Sequence, residues 1–469
     1  MTAAMTGALS TWQMGRVWST IDWDKVTAHV YRLQVRIAKA IALGKYHKAQ
    51  SLQWLLVRSH FAKLLAVKRV TESQGSKTVG VDGVTWKSAS ARYQGACSLR
   101  ARGYRAQPLR RIYIPKRNGK RRPLSIPTMY DRAMQALYLL ALLPVAETTG
   151  DLHSYGFRLE RSAQDACQHC YIALAQKRAA QWILDADIEG CFDNISHEWL
   201  LKHIPLEKRM LRQWLNSGFI EKQSFERTIA GVPQGGVISP VLSNMVLDGL
   251  QQAIRRSHVL RDKVNFIRYA DDFVVTADSP QVLHDKVIPV IKTFLAERGL
   301  RLSPEKTKVV HIEDGFDFLG FTIRKYNGKY LSRPSRDSVK SLLSNTKQVI
   351  KKGYGLSGAC VIQMVNRKIK GWGNYFRCAA SKATFAKIDS IIYKQCLHWV
   401  LRKYGYSHRH KAAAKYFHRR SESRSWIFSD LKVNKKGIVE LVAIAKMMDV
   451  KIQRHVKIRS VANPFDPDY

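Results

Sequence analysis

Two adjacent carboxylates inside an apolar, strand-forming run are the residues best suited to chemistry. Residues 266–276 read Phe-Ile-Arg-Tyr-Ala-Asp-Asp-Phe-Val-Val-Thr, with Asp271 and Asp272 in the middle. Aspartate is disfavoured in strands and costly to bury without a partner. A tight hairpin turn that brings the pair to a cation removes that cost; a plain Asp-Asp turn joining two core strands is the alternative. Side chains alternate along a strand, so Asp271 is expected to bridge ions and Asp272 to stand at the edge of the site. A third carboxylate in matching surroundings narrows the choice. Trp182, Ile183 and Leu184 form a buried-looking strand that ends in Asp185-Ala186-Asp187-Ile188. Asp187, Asp271 and Asp272 at two strand ends suit a pair of Mg²⁺ ions roughly 3.5–4 Å apart, a site that activates a primer 3′-hydroxyl and supports departing pyrophosphate. Mg²⁺ takes hard oxygen ligands and keeps several waters, so few protein carboxylates suffice.

The neighbouring stretches supply what such a site needs around it. Arg110-Arg111-Ile112-Tyr113-Ile114-Pro115 is strand-like. The run Lys116 to Leu124 then reads as a basic hairpin turning at Asn118-Gly119. Lys116 and Arg122 on such a ribbon can clamp a triphosphate, Arg as a fork and Lys as a point charge; a solvated basic hairpin is the plain alternative. Residues 231–244 form a Gly/Pro loop opening a helix. Gln234 in that loop suits packing against a template–nucleotide pair, and Gly235 and Gly236 permit close backbone approach. Residues 129–147 read as a buried helix, Ser196 as the N-cap of a helix over 197–203, and 283–300 as a helix ending near Gly299. Lys306 then falls within reach of the edge of the site.

Charge sets the partner class. The 469 residues carry 78 Lys+Arg against 36 Asp+Glu, a formal +42 with a pI near 10.1, on a chain 45% hydrophobic. Packed cores carrying that much positive charge point to a polyanion, nucleic acid before anionic membrane. The longest apolar run, Ala136–Ala146, is too short to span a bilayer and contains Pro144, and the N-terminus lacks the pattern of a signal peptide. Seven cysteines form no disulfide framework, which fits a reducing cytosol. Cys167-Gln-His-Cys170 has half a zinc-site spacing but no second pair, so two helix thiols are the reading.

The two ends of the chain are basic in different ways. Over 26–65, Val30, Leu33, Ile37 and Ile41 recur at helical spacing, as do Leu52, Leu55, Leu56 and His60. Arg32, Arg36, Lys39, Lys45 and Lys48 fill the other faces, as expected of a nucleic-acid-binding helical extension or of a plain surface hairpin. Residues 73–86, which include Lys77, are glycine-rich and aperiodic, a loop free to lie along a ligand. Residues 331–469 hold 29 Lys+Arg and 8 Asp+Glu, half the excess charge in under a third of the length. Trp372, Tyr375, Phe376, Trp399, Tyr404, Tyr406, Tyr416 and Phe417 interleave with those bases, either to stack on nucleobases or as an ordinary core. Basic patches lie at 408–420 (Arg409, Arg419, Arg420) and 451–459 (Lys451, Arg454).

Taken in order, these stretches resemble one family over roughly residues 25–469. Ile114-Pro115-Lys116…Arg122-Pro123-Leu124, Tyr155-Gly156-Phe157-Arg158, Asp187-Ile188…Gly190-Cys191-Phe192-Asp193, Gly231-Val-Pro-Gln-Gly-Gly236, Tyr269-Ala-Asp-Asp272, Leu300…Lys306-Thr307 and Phe318-Leu-Gly320 resemble the fingers and palm of the group II intron-encoded reverse transcriptase/maturases. Gly371-Trp372-Gly-Asn374-Tyr375-Phe376 resembles their thumb. The resemblance implies an α+β right-hand polymerase. Its expected parts are an N-terminal extension with a template lid (1–86), fingers and palm (87–330), a helical thumb or maturase domain (331–410) and a small basic DNA-binding domain (411–469).

It also implies roles. Asp187, Asp271 and Asp272 hold two Mg²⁺; Lys116, Arg122, Ile188, Phe192 and Gln234 contact the nucleotide, with Phe192 excluding a ribose 2′-hydroxyl; Lys306 is a general acid. Arg32, Arg36, Lys77, Arg158, Trp372, Tyr375, Arg409, Arg419, Arg420, Lys451 and Arg454 are the expected contacts to RNA or DNA. The partners are the intron RNA, a DNA target and primer, and dNTPs, with no membrane, in a bacterial cytosol or at the nucleoid. The activity implied is RNA-directed DNA synthesis, joined to splicing and to reverse splicing of the intron into DNA, that is, retrohoming by target-primed reverse transcription. A domesticated enzyme of DNA repair or defence and a splicing-only RNA-binding protein are the other readings. The last cysteine is Cys396, so the Cys-paired endonuclease module of many relatives is expected to be missing.

Overall fold

The computed structural model describes residues 10–115, 119, 121–405, 409–419, 426–433 and 437–466. The chain forms two compact units. Met1–Ser162, Ala186–Lys308 and Ile458–Tyr469 make the first; Ala163–Asp185 and Val309–Lys457 make the second. The strand Trp182–Asp187 belongs to both, and its last two residues, with Asp187, lie in the first unit.

The first unit is organised on the helix Met129–Thr149, which is buried at nearly every turn. Pro144 sits inside it and lacks the N–H that would bond Leu140. Gln34, itself buried on the helix Trp23–Ala42, donates its amide to the freed Leu140 carbonyl at 2.7 Å, and Gln53 donates to the carbonyl of the next residue, Ala141, at 3.0 Å. A buried polar side chain is thus stabilising here because a proline left an acceptor bare. After a first helix Thr11–Ser19, residues 23–72 form three helices rather than two, Trp23–Ala42, Tyr46–Arg58 and His60–Glu72. The break at Ser59 turns Leu55 outward, while Leu52 and Leu56 stay buried.

The same unit holds a four-stranded sheet in the order Arg121–Ile126, Leu109–Pro115, Phe219–Glu221, Ser224–Glu226. Its first two strands are the antiparallel ribbon read from the sequence, in register from Arg110 opposite Ile126 to Pro115 opposite Arg121. The hairpin Asn265–Tyr269 and Asp272–Ala277 is the other structural pair, with Tyr269 opposite Asp272. The chain's last described residues return to this unit: Tyr31 donates to the Pro464 carbonyl at 3.0 Å and Arg161 to those of Ser460 and Ala462.

The second unit contains the helix Ala163–Leu174 and a sheet ordered Lys329–Pro334, Phe321–Tyr326, Phe316–Phe318. The helices Arg336–Lys352, Gly358–Phe376 and Lys382–Tyr404 follow. A short helix Arg409–Tyr416 leads into a sheet of Phe417–His418, Ile427–Val433 and Val439–Ala443. Cys167 and Cys170 are buried on the helix Ala163–Leu174. Among the described residues no helix is long and apolar enough to cross a membrane.

Candidate active site

The hairpin explains how one aspartate is lifted out of a buried strand pair. Only Ala270 and Asp271 lie between the paired residues Tyr269 and Asp272, so the turn has two residues. Ala270 takes φ +58, a left-handed conformation that alanine adopts at a cost. Gly156 presses on this turn: a Cβ there would stand 2.4 Å from the Ala270 nitrogen. The turn is therefore held by a backbone that only glycine can bring so near.

Asp187 reaches the same place from the end of its own strand. Beyond that strand, residues 188–189 run against 301–302, through the Ile188–Leu302 bridge and the Glu189 N–H to the Arg301 carbonyl at 3.0 Å. The Ser303 N–H donates to the Asp187 carbonyl at 2.8 Å. This fixes the loop that carries Lys306, whose Nζ lies 2.7 Å from Asp187 Oδ2. Burial holds the Asp271 carboxyl above its usual range; the charge of Asp187 adds to the rise, while Arg122 and Lys306 oppose it. The hydrogen bond to Asp187 raises the Lys306 ammonium, and the charges of all three aspartates reinforce it. Burial pushes the Cys191 thiol up to about 12, with the charges of Asp271 and Asp187 both contributing. Asp187, Asp271, Asp272, Arg122 and Lys306 thus form one electrostatic cluster.

Among the described residues, no three His, Cys, Asp or Glu side chains are grouped closely enough to hold a metal ion. The Lys306 ammonium stands against the Asp187 oxygen that a cation would use. The donors still fit a hard divalent ion, being carboxylate oxygens that raise one another's affinity for positive charge.

The loop carrying Gln234 is built against this cluster. Gly231 at φ +84 leaves no room for a Cβ, which would stand 2.6 Å from the carbonyls of Phe192 and Asp193. Val232 donates to the Phe192 carbonyl at 2.7 Å. Gln234 places its side-chain amide 3.4 Å from both Asp193 carboxylate oxygens, and its backbone carbonyl accepts from the Ser125 N–H at 2.7 Å, on the ribbon strand that also carries Arg122. The buried Gln135 accepts from Val237 at 2.8 Å and so pins the far side of the loop. Phe192 is half-buried and meets the exposed ring of Phe157 edge-on at 6.5 Å.

Several expected contacts need correction. Arg158 does not face a nucleic acid: its guanidinium is buried 2.8 Å from Glu147 and also bonds the Asp151 and Glu147 carbonyls. The Ile188 side chain is buried, which leaves only its backbone to meet a nucleotide. Trp372 packs on Phe376 at 4.3 Å; Tyr375 stacks on Phe321 and donates to the Leu319 carbonyl. Those two rings are half-buried and already in contact with neighbouring rings, whereas Trp399, Tyr416 and Phe417 are buried. Arg32, Arg36, Lys77, Arg419, Lys451 and Arg454 are exposed. Lys116, Arg420 and the side chain of Arg409 lie outside the described residues.

What the sequence reading missed is a buried network beneath the turn. Arg268 is fully buried, 2.5 Å from Asp248 Oδ1 and 3.2 Å from Asn244 Oδ1. Asn244 donates to the Gly156 carbonyl at 2.7 Å, and the Tyr155 N–H donates to the Arg268 carbonyl at 2.9 Å. An arginine between Ile267 and Tyr269 in an apolar strand was the available signal, since a buried guanidinium demands a carboxylate.

Comparison with known proteins agrees with this geometry. Residues 114–323 match the model for reverse transcriptase (RNA-dependent DNA polymerase), 18–99 the N-terminal domain of reverse transcriptase, and 339–417 the group II intron maturase-specific domain. Protein YkfC of Escherichia coli (strain K12) is 31% identical over 347 residues, which cover 64% of this chain and 90% of that protein. The group II intron-encoded protein LtrA of Lactococcus lactis subsp. cremoris is 28% identical over 60% of this chain and 59% of its own length. An uncharacterised 91 kDa protein in the cob intron of Schizosaccharomyces pombe is 25% identical over 73% of this chain and 52% of its length. The match thus spans little more than half of the last two relatives.

Proposed function

The chain belongs to the group II intron-encoded reverse transcriptase/maturases, a family of RNA-directed DNA polymerases, and we propose that Asp187, Asp271 and Asp272 hold its two Mg²⁺ ions. When bound, those ions lower the pKa of a primer 3′-hydroxyl and neutralise the triphosphate. The chain's own residues do the rest. Lys306 compensates Asp187 until the site is loaded and then stands free to meet the pyrophosphate. Arg122, within electrostatic reach of Asp271, orients the triphosphate through its forked donors, with Lys116 on the same ribbon as its companion. Phe192, edge-on to Phe157, bars a ribose 2′-hydroxyl, so the product is DNA. Gln234, fixed from both sides of its loop, sets the template–nucleotide pair.

The observation that carries this reading is the convergence of Asp187 and Asp271, distant in sequence, on one ammonium. Intron RNA is the template and also the splicing partner, held by the exposed basic residues Arg32, Arg36, Lys77, Lys451 and Arg454. A DNA target and primer complete the set needed for retrohoming. Purified protein with a primed RNA template, dNTPs and Mg²⁺ should make cDNA, and Asp271→Ala should end synthesis while RNA binding persists. Binding should weaken steeply with salt, because many phosphates are neutralised together. Synthesis by the Asp271→Ala protein, or a shallow salt slope, would contradict the proposal.

A further inference from the structure

Asn244 stands on the helix Ser239–Leu247, into which the Gly/Pro loop about Gln234 leads. Its side chain is buried, and its amide is used at both ends. The NH₂ donates to the Gly156 carbonyl at 2.7 Å, and the amide oxygen accepts from the Arg268 guanidinium at 3.2 Å. One partner offers only lone pairs and the other only protons, so they fix which way the amide points. An ionised aspartate could not donate to the first, and a leucine could serve neither.

Both partners bear on the same residue of the hairpin turn. The Arg268 nitrogen that meets Asn244 also lies 3.5 Å from the Ala270 carbonyl oxygen. Gly156 lies so close to the Ala270 nitrogen that it has no space for a Cβ. The Tyr155 N–H donates to the Arg268 carbonyl at 2.9 Å, so the segment 155–156 and Arg268 are also joined directly. Ala270 is therefore held on its nitrogen side and at its carbonyl by two groups that a single amide ties together. It needs such holding, because its φ of +58 is costly for alanine and an unrestrained turn would relax away from it. The next residue is Asp271. A carboxylate moves with the backbone that carries it, so this bonding pattern sets where Asp271 stands.

We propose that Asn244 is a positioning residue for DNA synthesis: it touches no substrate, and through Gly156 and Arg268 it fixes the turn that presents Asp271. The proposal rests on the reading of Asp271 as a member of the polymerase site. Asn244 differs in this from its neighbour in the network. Asp248 balances the Arg268 charge at 2.5 Å and so serves stability. Asn244 is neutral, and it spends both ends of its amide on groups that flank the turn. Removing a partner that stands behind a metal-binding carboxylate typically costs roughly 10- to 100-fold in activity or metal affinity.

Two substitutions in the full chain separate the links. Asn244→Leu keeps the branched outline and breaks both bonds. Asn244→Asp keeps the shape and the acceptor for Arg268 and breaks only the bond to Gly156. Hydrogen–deuterium exchange of the metal-free protein should quicken in peptides spanning residues 266–276 in both variants and stay unchanged in peptides from the helix Trp23–Ala42. Primer extension on an RNA template with dNTPs and Mg²⁺ should show kcat lowered roughly 10- to 100-fold while KM for dNTP holds. In Gly156→Ala the turn is already displaced, so adding Asn244→Asp should slow extension by much less than it does alone. Should Asn244→Leu fail to fold, Asn244→Asp carries the test. If the unaltered protein makes no cDNA, the reading of the site falls and this proposal with it. If it makes cDNA but the variants keep its kcat, or exchange in the turn does not change, this proposal alone fails. A lowered melting temperature with normal kcat marks a purely structural role and overturns it as well.

Discussion

Arg268 and Asp271 stand three residues apart on one hairpin, and their surroundings treat charge in opposite ways. The arginine is fully buried and closed off by Asp248, Asn244 and the backbone about Tyr155. The aspartate is mostly buried too, but its nearest charges include another carboxylate, and its own pKa is raised. In one cluster a buried guanidinium pairs with a carboxylate at 2.5 Å inside the fold; in the other, neighbouring carboxylates face one another and the exposed ammonium of Lys306 stands against one of them. Charge that is matched within the fold holds a shape, whereas charge left short is where a cation and a substrate are to be bound.

Substitutions that separate these two roles follow from that contrast. Asp271→Ala should remove DNA synthesis while leaving thermal stability unchanged or slightly higher, because it deletes a carboxylate from a like-charged group. Primer extension and a melting curve on the same preparation check both halves. Arg268→Met should do the reverse at first order. It strands Asp248 in the interior and should cost about 3–5 kcal/mol in urea unfolding, and the double variant Arg268→Met/Asp248→Leu should regain much of that. Gly156→Ala tests the link between the two clusters. Its Cβ would meet the Ala270 nitrogen, so the turn must shift, and displacement by about 1 Å can cost roughly 100-fold in rate. Single-turnover extension with unchanged RNA affinity is the expected pattern.

The smallest effect concerns pH. Burial pushes Asp248 up to about 6, against the pull of Arg268, with the charge of Asp151 adding to the rise. A carboxyl raised in the folded state binds its proton more tightly there than when unfolded. The stability it contributes is therefore fully present below its unfolded value near 4 and is lost as pH rises through about 6. Relative to Asp248→Asn, the unaltered protein should lose stability between those two values. A difference in unfolding midpoint that does not change with pH across that window would contradict the assignment.

The positions proposed to bear the chemistry stand out in the sequence because their residue types are out of place locally. Asp271 and Asp272 in a strand run, Asp187 at a strand end and the glycines about Gln234 each break a propensity, and the structure gives each break a geometric reason. The ribbon, the buried helix with Pro144 and the cap at Ser196 followed from period and turn residues. The aromatic residues of the second half stayed open between two readings, since Trp372, Tyr375 and Trp399 look alike in sequence whether they stack on a base or pack on another ring. Arg158 misled for a similar reason: only its pairing with Glu147, eleven residues earlier and on another element, turns a basic surface residue into a buried one. Partner choice over such distances leaves no local period to read.

The central claim is that carboxylates from two separate stretches share cations. Iron(II) supplied in place of magnesium, followed by peroxide and mapping of backbone cleavage, tests it directly. The account predicts cuts close to both residue 187 and residue 271, lost together in Asp271→Asn. Cleavage at only one of these places, or cuts near 187 that persist in Asp271→Asn, would contradict it.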